Sequence, residues 1–124
     1  MTYKNTLAAL VAGTLTVFGV GAYAQQSVAP ESPHEKEAVK HAKEAVVHGK
    51  QGHADVLIEH AEEAKKHAIM ASKDFSSYAL QNAINHLDEA ITHGKKGDAK
   101  VATTHLEEAL KVLESGAPQD PNQP

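Results

Sequence analysis

The run His41-Ala-Lys-Glu-Ala-Val-Val-His48-Gly-Lys-Gln-Gly-His53 sets the architecture of this chain, because it returns 45 residues later as His86-Leu-Asp-Glu-Ala-Ile-Thr-His93-Gly-Lys-Lys-Gly-Asp98. The same shift aligns residues 41–68 with 86–113, and 14 of those 28 positions are identical. Each copy joins a helix-forming segment to another through a glycine-bounded turn, Gly49-Lys50-Gln51-Gly52 or Gly94-Lys95-Lys96-Gly97. Glycine after the last periodic residue is a helix stop, so the repeated unit is a helical hairpin.

The apolar stripe extends this reading. Ala54, Leu57, Ala61, Ala64, Ala68 and Ala71 recur at steps of three and four. Leu80, Ala83, Leu87 and Ala90 do the same, widened by Ile84 and Ile91, and Ala99, Ala102, Leu106, Ala109 and Leu113 follow. These are a and d positions of a heptad. No proline interrupts His34 to Ala117, and Ser72 to Ser77 offers cap oxygens at a third break. The spacing predicts helices over 34–48, 53–71, 77–93 and 98–115. Two hairpins with such stripes form an all-α, up-down-up-down four-helix bundle.

The flanks are of another kind. Lys4 precedes an uncharged run from Leu7 to Val20, and Ala22-Tyr23-Ala24 is a small-residue cleavage pattern. Residues 1–24 therefore read as a secretory signal peptide, cut before Gln25. The run is short for a bilayer span, so no stable membrane insertion is expected after cleavage. Residues 25–33 read as a flexible leader, 34–115 as the four-helix bundle, and 116–124 as a disordered tail. The expected location is the periplasm.

Composition narrows the function classes. Removing Lys4 with the signal peptide leaves 11 lysines and no arginine against 16 acidic residues, a formal charge of −5 with neutral histidines. Nucleic acid is a poor partner for such a chain. With no cysteine there is neither thiolate catalysis nor a thiolate metal site. Beyond the leader only Phe75 and Tyr78 are aromatic, so alanine, leucine, valine and isoleucine must build a thin core.

The nine histidines are the chemical signal: His34, His41, His48, His53, His60, His67, His86, His93 and His105. Within each helix they repeat every seven residues, and all nine occupy heptad position g, beside the core but outside it. The recurring unit is His-x-x-Glu-Ala-x-x-His, which sets Glu37, Glu44, Glu63 and Glu89 on the histidine face, with Glu108 in a half-unit after His105. Imidazole with carboxylate is a ligand set for borderline divalent metals. Each of these glutamates reads equally well as a ligand or as a solubilising charge.

One helix cannot make the site, since seven residues rise roughly 10.5 Å. An antiparallel hairpin can. It opposes His48 to His53, His41 to His60 and His34 to His67, a ladder of three rungs expected to act as separate sites. The second hairpin opposes His86 to His105 and His93 to Asp98, while its third rung, Ala79 with Val112, has no ligand. Fewer or weaker sites are expected there.

These units resemble the small metal-binding protein family of ammonia-oxidising bacteria, which is periplasmic, histidine-rich and built of seven-residue repeats folded as a helical bundle. The resemblance covers His34 to about Leu113 and rests on histidine heptads occurring together with Gly-Lys-x-Gly turns. It implies reversible binding of several divalent metals, copper above all, for sequestration or homeostasis, through the nine histidines already named. The chain departs from the pattern at Asp98, Ala79 and Val112.

The expected function is therefore binding and sequestration of divalent metal ions, Cu(II) first, with Ni(II) or Zn(II) possible. The competing reading is a structural or partner-binding helical protein whose histidine face senses pH. An enzyme is not expected: no serine is placed beside a base, the Glu-x-x-His order of di-iron bundles is reversed here, and no haem-attachment motif exists.

Overall fold

A computed structural model describes residues 32–115. The expected signal peptide, most of the expected leader and the expected tail lie outside the described residues.

Four helices follow in order: α1 (Pro33–Lys50), α2 (Ala54–Asp74), α3 (Tyr78–Lys95) and α4 (Ala99–Ser115). Each packs on its sequence neighbour, α1 also packs on α4, and α2 barely meets α4 across the diagonal. The result is an up-down-up-down bundle with four seams. No helix among the described residues is long and apolar enough to cross a membrane.

Local chemistry fixes the ends. Ser32 caps α1 by accepting the Glu35 N–H at 3.0 Å, with Pro33 in the first turn, so the helix starts one residue before the heptad pattern does. Ser77 caps α3 by accepting the Leu80 N–H at 3.1 Å. Both satisfy amide groups that a helix start leaves unpaired.

The hairpin turns differ from the sequence expectation. Gly49 and Gly94 do not end their helices; both are buried inside the last turn. The stop comes three residues later, at Gly52 and Gly97, with φ of 77° and 85°. There the His53 N–H donates to the His48 carbonyl and the Gly52 N–H to the Gly49 carbonyl, at 2.9 and 3.0 Å. The same pair of bonds recurs from Asp98 to His93 and from Gly97 to Gly94, both at 2.9 Å. This is the Schellman arrangement, which needs a left-handed residue. Gly49 and Gly94 instead serve close packing. A β-carbon on Gly49 would lie 2.7 Å from Leu57 Cδ1 and collide with the Thr103 hydroxyl, and one on Gly94 would lie 2.8 Å from Ile58 Cγ1.

The core consists mainly of small residues: Ala38, Ala42, Ala45, Ala61, Ala64, Ala68, Ala83, Ala90, Ala102 and Ala109 are wholly covered. Leu57, Leu87 and Leu106 are the largest fully buried side chains. Small interior side chains allow close helix approach but limit the apolar area removed from water.

The duplication survives in three dimensions. Lys50 pairs with Glu107 at 2.8 Å across α1 and α4, and its counterpart Lys95 pairs with Glu62 at 2.9 Å across α3 and α2. Lys43–Glu114 and Lys65–Asp88 add a further ion pair to each of those seams. These two seams carry no histidine. The histidines line the other two, within each hairpin.

Candidate metal centre

Heptad position g places the imidazoles along the edges of the α1–α2 and α3–α4 seams. His53 is exposed, and the other eight histidines are partly buried. Each side chain is thus shielded on its core side and open to solvent on the other.

The three rungs of the first hairpin are present. Ring centroids lie 5.6 Å apart for His34 and His67, 5.7 Å for His41 and His60, and 5.8 Å for His48 and His53. In the first two rungs the Nδ1 atoms approach to 3.4 Å. In the second hairpin His86 and His105 are 5.9 Å apart, and His93 Nδ1 lies 3.8 Å from an Asp98 carboxylate oxygen.

The rungs are not separate, however, and this corrects the sequence expectation. His41 stacks on His67 with centroids 5.7 Å apart and planes within 9°, and His48 stacks on His60 at 5.4 Å and 7°. His93 and His105 repeat the contact at 5.4 Å and 13°. The cause is side-chain direction. Helical side chains lean toward their own N-terminus, so on antiparallel helices the two sets lean toward one another. His41 leans toward the level of His34 while His67 leans up toward that of His41. The six imidazoles therefore form one continuous zigzag: His34, His67, His41, His60, His48, His53.

Carboxylates complete three groups whose ligand atoms all lie within 4.8 Å: Glu37 with His41 and His67, Glu44 with His41 and His60, and Glu89 with His93 and His105. The second is the tightest. Glu44 Oε2 is 3.3 Å from His41 Nδ1 and 3.2 Å from His60 Nδ1, which are 3.4 Å from each other. An ion with bonds of about 2.0–2.1 Å in tetrahedral array separates its ligands by about 3.3–3.4 Å. The triangle has the edge lengths of one face of such a tetrahedron.

The remaining candidates lie elsewhere. Glu63 pairs with Lys66 at 3.3 Å, and neither it nor Glu108 enters any of the three groups. Glu37 also lies 3.8 Å from Lys40. Asp98, which breaks the repeat in sequence, supplies an oxygen near His93 that composition alone marks as a loss.

Two further atoms, one in each seam, lack a partner. The Nδ1 nitrogens of His48 and His93, equivalent in the two hairpins, are buried and have no hydrogen-bond partner. An orphaned polar atom of this kind costs about 1–3 kcal/mol. Coordination to the ring removes that cost if this nitrogen is the donor.

What the arrangement can do follows from its atoms. Neutral imidazole offers one lone pair, carboxylate one or two oxygens, and the hairpin holds them at bonding separation before any ion arrives. No curated protein matches the chain. A family model does: residues 4–116 match the one described as small metal-binding protein. With the match running through both histidine seams, the chain belongs to the small metal-binding protein family.

Proposed function

We propose that this protein captures divalent transition-metal ions in the periplasm and holds them along its two histidine seams, with Cu(II) bound most tightly and Ni(II) and Zn(II) more weakly. The observation that carries the reading is the His41–His60–Glu44 triangle, whose edges of 3.2 to 3.4 Å match the ligand spacing of a small divalent ion. Zn(II) fits it without movement. Tetragonal Cu(II) wants edges of about 2.8 Å, so the three atoms must close by about 0.5 Å. The partly buried side chains that carry them allow this by small rotamer changes. The affinity order of divalent ions at nitrogen and oxygen sites then favours Cu(II). Secretion is supported by the signal-peptide pattern at residues 1–24, and sequestration rather than catalysis by a seam of repeated ligands with no nucleophile placed beside them among the described residues.

The ions are cargo. Each histidine must be neutral to bind, and each neighbouring glutamate offsets part of the charge that arrives. The experiment is a competition titration of the metal-free chain with Cu(II), Ni(II), Zn(II), Cu(I) and Ca(II). The expected result is more than one Cu(II) per chain and the order Cu(II) above Ni(II) and Zn(II). Tighter binding of Cu(I) or Ca(II) overturns the ligand assignment.

A further inference from the structure

We propose that the first seam accepts ions in two alternative registers, so that an ion moves along it by exchanging one imidazole at a time. The inference rests on the metal-binding reading above and deepens it. In the rung register the pairs are His34 with His67, His41 with His60, and His48 with His53. In the offset register they are His67 with His41, and His60 with His48. Ring separations do not distinguish the two: 5.6, 5.7 and 5.8 Å within rungs, 5.7 and 5.4 Å between them.

The carboxylates point the same way. Glu44 completes a rung pair, but Glu37 completes the offset pair His41–His67, and in the second seam Glu89 completes the offset pair His93–His105. His41 belongs to both a rung group and an offset group. A neutral imidazole has one free lone pair, so His41 serves one ion at a time, and filling either group empties the other. An ion held by His41 and His60 reaches the next position by keeping His41 and trading His60 for His67. Glu44 is released and Glu37 engaged in the same step. Every intermediate retains one imidazole, which makes the seam a track rather than a row of independent cups.

Two registers predict ion counts that a rung-only seam does not. The test uses the full chain carrying His86→Ala, His93→Ala and His105→Ala, which silences the second seam, and reads bound Cu(II) by equilibrium dialysis and native mass spectrometry. Adding His34→Ala and His53→Ala leaves four consecutive imidazoles. The offset register still pairs all four and holds two ions, whereas isolated rungs hold one, at His41 and His60. Adding His67→Ala and His48→Ala instead also removes two histidines but leaves a single pair in any register, so one ion is expected.

Two ions in the first variant and one in the second support the proposal. One ion in both overturns it while leaving metal binding intact. No Cu(II) on the parent chain with its first seam untouched overturns the functional reading itself. The substituted positions lie at the bundle edge, and circular dichroism reports the fold. A glutamine pair at positions 34 and 53 repeats the count if the alanine pair loses helix.

Discussion

His41 and His67 stack within 9° of parallel at 5.7 Å, although the antiparallel register opposes His41 to His60. One imidazole thus has two partners on the facing helix. Each carries its own carboxylate, Glu37 for one and Glu44 for the other.

That double contact sets the expected energetic coupling. Copper affinity of His41→Ala with His60→Ala, and of His41→Ala with His67→Ala, should each depart from additivity by about 0.5–3 kcal/mol. His41→Ala with His105→Ala, which lie on different seams, should add. Double-mutant cycles read by Cu(II) titration measure this. Coupling confined to His41 and His60 would restore separate rungs.

Metal should stabilise the bundle. The core is mainly alanine, and an ion joining α1 to α2 binds only where those helices are paired. At about 100 times its dissociation constant, one such ion adds about 2.7 kcal/mol. For a domain of this size that raises Tm by on the order of 10 °C or more. Thermal melts with and without Cu(II) provide the check, and an unmoved Tm despite proven binding would mean that the ions do not bridge helices.

Affinity should also depend on pH in one direction. Protons and metal compete for the same imidazole nitrogens, so binding weakens as pH falls. Titrations at neutral and mildly acidic pH should differ steeply. A curve that does not move would assign the ions to carboxylate or backbone oxygens.

The buried glycines make a separate test of packing. Alanine in place of a helical glycine ordinarily gains up to about 1 kcal/mol. Gly49→Ala should instead destabilise by about 1–3 kcal/mol through overpacking, because the new carbon meets both Leu57 and the Thr103 hydroxyl, which is held by the Ala99 carbonyl at 2.7 Å. Gly94→Ala should cost less, since it meets the flexible Ile58 side chain. Chemical denaturation of both variants ranks them.

Much of this was legible in the sequence. Heptad steps of alanine and leucine gave four helices, the 45-residue repeat gave two hairpins, and antiparallel pairing across each turn gave the opposed histidines. What escaped was finer. Glycine directly after a histidine reads as a helix stop, yet Gly49 and Gly94 continue the a positions after Ala42 and Leu87, a sign that they are interior. The offset contacts of His41 with His67 and of His48 with His60 escaped because numbering across a turn gives the height of each Cα and not the lean of its side chain. Glu63 and Glu108 share the spacing of Glu44 and Glu89 but not their neighbours, since a glutamate joins an imidazole pair only where the facing helix completes it.

The most direct measurement is metal-edge anomalous scattering from crystals of the copper-loaded protein. The account predicts peaks along the α1–α2 seam, each within about 2.0–2.2 Å of two imidazole nitrogens contributed by different helices, with Glu37 or Glu44 beside them. Fewer or weaker peaks are expected along α3–α4, at His93, His105 and Glu89. Peaks confined to the ion-pair seams, or ions held by histidines of one helix alone, would contradict it.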